Sequence, residues 1–164
     1  MTIAELNRLD QAGFVDAVGW IFEHSPWVAE RAFSTRPFPS LDVLHALMTD
    51  QVERATFAEK LALIQAHPDL GTRARLSTAS TAEQAGAGLD SLTPGEFEQL
   101  QRLNTAYRNR FGFPFLLAVK GSTKHDVLRG LQARMEASAE DEFREALRQV
   151  YRIARFRLED LITT

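Results

Sequence analysis

The sequence predicts an all-α fold, a single compact multi-helix domain over residues 1–164. Three observations carry this expectation. Apolar residues recur at helical intervals almost from end to end, helix-capping residues punctuate those stretches, and no alternating strand pattern accompanies them. With 164 residues, 45% of them hydrophobic, the chain is long enough to bury a core, and it shows neither a repeat period nor a linker long enough to divide it.

Thr2-Ile3-Ala4-Glu5 has capping-box spacing and predicts a first helix start. Phe14, Val15, Val18, Ile21 and Phe22 recur around a second helix, and Ser25-Pro26 reads as a cap with proline at the first helical position, opening Trp27 to Phe33. Pro37 and Pro39 break the chain. Ser40 then caps a helix carrying Leu41, Leu44, Leu47, Met48 and Val52, and Thr56-Phe57-Ala58-Glu59 starts another that carries Leu61, Leu63 and Ile64 into His67. Residues 71–92 are small and polar, and leave helical order there open. Thr93-Pro94-Gly95-Glu96 opens a long helix through Phe97, Leu100, Leu103 and Tyr107 to Gly112. Phe113 to Val119 is an isolated apolar run without a partner strand, so it reads as a buried extended segment or a short helix start. Ser122 or Thr123 opens the next helix, and Ser138-Ala139-Glu140-Asp141 caps a last one through Phe143, Leu147, Val150, Ile153 and Leu161.

Composition narrows the chemistry. There is no cysteine, which removes disulfides, thiolate nucleophiles and Cys-based metal sites, and leaves His, carboxylates, Lys, Arg, hydroxyls and backbone groups for any catalysis. The 19 basic and 22 acidic residues are mixed along the chain, so no nucleic-acid footprint is expected. No apolar stretch is long enough to span a bilayer, the N-terminus lacks the basic and apolar regions of a secretory leader, and Leu161-Ile162-Thr163-Thr164 carries no Ser-Lys-Leu address; the cytoplasm is the expected compartment. His24, His45 and His125 are dispersed without metal-ligand spacing, and no phosphate loop, dinucleotide fingerprint or nucleophile elbow appears. Trp20, Phe22, Trp27, Phe33 and Phe38 read as core packing, while Lys120 and Arg157 read as solvated cations within reach of an anionic ligand.

His67-Pro68-Asp69-Leu70-Gly71 places an imidazole at the end of a helix cut off by proline and glycine. An ordinary helix stop explains it, since a terminal histidine interacts with the exposed carbonyls. The active reading is that the helix holds a ring whose titration near neutrality suits an acid or base. Glu83 has a similar double reading. Ser80-Thr81-Ala82-Glu83 has capping-box spacing, yet a helix start also gathers N–H groups, a hydroxyl and the Gln84 amide around one spot suited to a carboxylate or carbonyl ligand.

Several ordered segments together resemble one family. They are Glu23-His24-Ser25-Pro26-Trp27 with Arg36-Pro37-Phe38, His67 to Gly71, Glu83-Gln84-Ala85-Gly86-Ala87-Gly88-Leu89, Asn104-Thr105-Ala106-Tyr107, Phe111-Gly112-Phe113-Pro114-Phe115, and Arg157-Leu158. The combination resembles the 2-oxo-4-hydroxy-4-carboxy-5-ureidoimidazoline (OHCU) decarboxylases of urate degradation. The resemblance implies an all-α fold peculiar to that family, no cofactor, and formation of (S)-allantoin after urate oxidase and a hydrolase have acted. It puts the catalytic histidine at His67, with Glu83 opposite. It puts substrate contacts at Pro68, at Ser80, Thr81, Ala82, Glu83 and Gln84, and along Phe115, Leu116, Leu117, Ala118 and Val119. Family members often carry arginine where this chain has Lys120, and a homodimer is the implied assembly. Two other readings stay open: a helical interaction module without activity, and another cofactor-free lyase or hydrolase acting on a related ureido or imidazoline compound.

Overall fold

Local capping chemistry sets most helix starts. The computed structural model describes residues 1–72 and 76–163, and its regular elements over them are all helical. In order they are α1 Ile3–Asn7, α2 Gln11–Val18, α3 Trp27–Ala32, a 3-10 turn Phe33–Thr35, α4 Leu41–Glu53, α5 Phe57–Gln65, α6 Thr78–Gly86, α7 Pro94–Phe111, α8 Lys124–Arg134 and α9 Ala139–Leu161. Thr2, Thr56, Thr93 and Thr123 each close a full capping box, and Ser40 caps α4. Thr123, rather than Ser122, therefore opens α8. Residues 73–75 of the polar segment and Thr164 at the C-terminus lie outside the described residues.

Four expectations about helix limits are corrected. Ser25 does not cap α3: Pro26 occupies the N-cap position, and the Ser25 hydroxyl donates to the Glu23 carbonyl at 2.8 Å. Helix α2 ends at Val18, and Ile21 and Phe22 are buried from the turns that follow it. His67 lies beyond the C-cap Ala66 instead of inside the last helical turn. The Ser80-to-Glu83 box is not formed, because Ser77 caps α6 by accepting the Ser80 N–H at 3.1 Å and Ser80 sits one turn inside.

The chain divides into two compact units, Met1–Ala66 with Tyr151–Thr164, and His67–Val150. In the first, α2, α3 and α4 pack together, and the core contains Phe14, whose ring lies 5.6 Å from Phe33 and 5.8 Å from Phe38. Trp20 is 41% exposed, so it does not belong to the expected aromatic core. Arg157 was expected at the surface and is instead 3% exposed. It donates to Glu23 Oε2 at 2.7 Å and to the Trp20 and Ile21 carbonyls at 3.3 Å, which ties the turn after α2 to the last helix. His24, next to Glu23, has φ +46°, a left-handed geometry uncommon for a non-glycine residue.

In the second unit, Tyr107 of α7 packs edge-on against Phe115 at 5.5 Å and Phe113 at 6.1 Å, and α7 ends at Gly112, whose φ of +80° suits glycine. Residues 113–119 follow as a mostly buried run without helix or strand, so of the two readings of the isolated apolar pattern the short helix start is not the one formed.

The capping carboxylates are expected to make stability depend on pH in the acid range. Glu59 is held down to about 2 by the Arg31 hydrogen bond and then by the Thr56 N–H, and Glu96 to about 2 by Lys124 and then by the Thr93 N–H. A depressed carboxyl contributes stability above its unfolded pKa and loses that contribution as pH falls towards the folded value. Urea unfolding midpoints are therefore expected to fall between about pH 4.5 and 2, and Glu96→Gln should flatten part of that decline. A decline unchanged in Glu96→Gln would assign the acid sensitivity elsewhere.

Candidate active site

The His67–Gly71 segment of the second unit is fixed by partners from two helices. Asn104 Nδ2 of α7 donates to the Leu70 carbonyl at 2.9 Å, and the Gly71 N–H donates to Gln84 Oε1 of α6 at 2.8 Å. At the surface, Arg108 of α7 donates to Asp69 Oδ1 at 2.8 Å. These bonds hold the loop whose first residue, His67, is 6% exposed. Pro68 next to it is half-buried and has no N–H to continue the helix.

Gly71 is required twice over. Its φ is +74°, and a Cβ there would stand 2.4 Å from Leu100 Cδ2 and 3.1 Å from Leu92 Cδ1. Gly71→Ala is expected to destabilise the protein by about 1–3 kcal/mol through backbone strain and overpacking, read as a lower denaturation midpoint. An unchanged midpoint would show that the turn relaxes without cost.

Helix α6 sorts the predicted contact residues by face. Ser80 and Gln84 are buried and Glu83 is half-buried, on one face at helical spacing with Ala87, whereas Thr81 and Ala82 are exposed. The Thr81 hydroxyl turns back to the Ser77 carbonyl at 2.9 Å. Because Gln84 accepts from Gly71, the helix bearing Glu83 and the loop bearing His67 are directly bonded.

The run Phe115, Leu116, Leu117, Ala118 and Val119 is buried except at Leu117, which is partly exposed, and Lys120 beyond it faces solvent. The Ala118 N–H is donated to Gln149 Oε1 of α9 at 2.9 Å, and the Leu116 carbonyl accepts from Arg134 of α8. Arg134 also donates to Glu142, which takes the Tyr107 hydroxyl at 2.5 Å. Burial, reinforced by that carboxylate, holds the Tyr107 phenol far above its usual range, so it stays protonated. Among the described residues no three His, Asp or Glu side chains converge as a metal site would require.

Sequence reading did not assign Asn104, Arg134 or Gln149. A signal for Gln149 was available: with Glu142 and Arg157 it puts a polar group on the stripe of α9 that also carries Ala146, Val150, Ala154 and Leu158, all buried.

A family model for OHCU decarboxylase matches residues 7–159. The chain belongs to the OHCU decarboxylase family. It is 50% identical over 160 residues to the 2-oxo-4-hydroxy-4-carboxy-5-ureidoimidazoline decarboxylase of Haloferax volcanii, covering 98% of this chain and 95% of that protein. It is also 50% identical, over 99% of its length, to the uric acid degradation bifunctional protein PucL of Bacillus subtilis, of which it spans 33%. A crystal structure of (S)-allantoin synthase superposes with a TM-score of 0.83 and 36% identity, covering 100% of this chain and 55% of that one. As a member of this decarboxylase family the chain is an enzyme, and its helical fold is that of its relatives. No described helix is long and apolar enough to cross a membrane.

Proposed function

We propose that this protein is a carbon–carbon lyase that decarboxylates OHCU to (S)-allantoin in urate degradation, without a cofactor. The observation that carries the reading is the bond from Gly71 to Gln84, which couples the loop of buried His67 to the helix face bearing Glu83 within a chain of this family.

The chemistry needs little beyond orientation and proton handling. When the carbon–carboxylate bond breaks, its electron pair becomes a double bond between two ring carbons, and the adjacent ring C=N pair moves onto nitrogen, which takes a proton. Loss of the hydroxyl proton and delivery of a proton to the ureido-bearing carbon then give the keto product, with one proton taken up for each carboxylate lost as carbon dioxide. The substrate is its own electron sink, so the protein's task is to bind, orient and protonate. In this reading His67 bonds the carboxylate or the hydroxyl and handles the proton, and protonation of one face sets the S configuration. Glu83 accepts ring or ureido N–H groups, with Ser80 and Gln84 beside it. Pro68, Thr81 and Ala82 complete the proposed contact set, with the Thr81 N–H and hydroxyl both already donated to the Ser77 carbonyl. Phe115 to Val119 offers backbone groups from a largely dry segment, with the Ala118 N–H already committed to Gln149. We place the enzyme in the cytoplasm as a homodimer and treat residues 1–164 as one working domain, as the family match over 7–159 supports.

The test generates OHCU from urate with urate oxidase and the hydrolase, then follows its ultraviolet decay and the circular dichroism of allantoin. Faster decay with optically active product is the expected result. Decay at the spontaneous rate to racemic product would refute the proposal. Glu83→Gln is expected to lower kcat/KM about tenfold or more while leaving helicity intact, because an amide presents one acceptor in place of a charged pair. An equal loss of helicity would return Glu83 to a purely structural role.

A further inference from the structure

Residues 113–119 make neither helix nor sheet, so their backbone groups need partners from elsewhere. Two such partners are side chains of helices that carry none of the predicted contacts. Arg134 donates to the Leu116 carbonyl, and Gln149 Oε1 accepts the Ala118 N–H at 2.9 Å. Each partner is itself oriented. Arg134 Nε donates to Glu142 Oε1 at 2.5 Å and its guanidinium lies 4.4 Å from the centre of the Phe115 ring, while Gln149 Nε2 donates to Glu145 Oε2 at 3.3 Å. Glu142 and Gln149 are 1% and 7% exposed, so water competes little for these bonds.

The spacing has a geometric consequence. In an extended chain the N–H and carbonyl of one residue point to one edge, and those of the next residue point to the other. Leu116 and Ala118 are two apart, so their bonded groups share the edge facing α8 and α9. With extended backbone between them, the N–H and carbonyl of Leu117 would turn to the opposite edge. Leu117 is also the residue of 113–119 that stays partly exposed.

We infer that Arg134 and Gln149 are positioning residues for the decarboxylation, which hold Leu116 and Ala118 so that the backbone of Leu117 presents its N–H and carbonyl to the substrate's amide groups. This rests on the function proposed above. It also explains why α9 keeps a glutamine on an apolar stripe, where an aliphatic side chain would pack without desolvating an amide.

Gln149→Met removes the acceptor at nearly constant volume. Steady-state kinetics with OHCU made in situ, run well below each variant's melting midpoint, should show kcat/KM down about tenfold or more, chiefly through a higher KM, because a backbone contact binds the ground state too. The paired variant Glu145→Gln with Gln149→Glu keeps net charge, the acceptor for Ala118 and the bond between α9 positions 145 and 149, and should recover kcat/KM to within about threefold of wild type. Hydrogen exchange should show (S)-allantoin protecting the Leu117 amide in wild type and in the paired variant, and not in Gln149→Met. Wild-type kinetics in Gln149→Met, or a paired variant as impaired as Gln149→Met, would overturn the positioning role while active wild type leaves the proposed function standing. Inactive wild type would refute the function itself.

Discussion

His67→Asn is expected to lower kcat for OHCU decarboxylation by about a hundredfold to ten-thousandfold, the range lost when a positioned general acid or base is removed. Asparagine keeps a polar side chain of similar reach at a site only 6% exposed, so the loop from His67 to Gly71 should hold its bonds to Asn104 and Gln84. What it lacks is a proton it can exchange. Product stereochemistry supplies a second readout: protonation in solution is not face-selective, so residual product should drift towards racemic. Far-ultraviolet circular dichroism and the denaturation midpoint should stay close to wild type. Turnover within tenfold of wild type, with optically pure allantoin, would remove His67 from the proton transfer.

The largest stability effect is expected at the buried ion pair of the first unit. Arg157→Met leaves the Glu23 carboxylate, 2% exposed, without the guanidinium that bonds it at 2.7 Å, and breaking such a pair from one side costs about 3–5 kcal/mol. It also removes the donor to the Trp20 and Ile21 carbonyls. For a chain of this size that corresponds to a fall in melting midpoint of about 10 °C. Combining Arg157→Met with Glu23→Leu should recover much of the loss, because an apolar pair of similar volume carries no desolvation penalty. A single variant within about 1 kcal/mol of wild type would mean that water reaches the carboxylate.

The elements were largely legible because helix starts are local chemistry. Each threonine capping box joins atoms three residues apart, and those at Thr2, Thr56 and Thr93 stand where their spacing indicated. Where two local patterns competed, the sequence left the choice open or pointed the wrong way. Both Ser77 and Ser80 can cap a helix, and the winner is the one whose start lets Ser80 and Gln84 turn inward together. Ser25 offered cap chemistry too, but its hydroxyl found the nearer Glu23 carbonyl.

The candidate site was legible in part, for a related reason. His67 and Glu83 stood out by local setting, a helix stop and a small-residue helix, but those settings fit ordinary caps as well. It was the family resemblance that implied a catalytic role for them and substrate contacts along Phe115 to Val119. Their supports could not be named, since nothing in the local sequence of Asn104, Arg134 or Gln149 states which backbone group each will meet.

Sequence alone determined the all-α class, most helix starts, the isolated apolar character of 113–119, and the residues available for chemistry. These follow from periodicity, capping and composition, which act within a few positions along the chain. Tertiary structure decided which polar side chains are buried and what they hold. Gly71 meets Gln84 across 13 residues, Leu70 meets Asn104 across 34, and Glu23 meets Arg157 across 134. Such pairings are set by how helices pack, and burial then turns an ordinary polar residue into a costly and specific one.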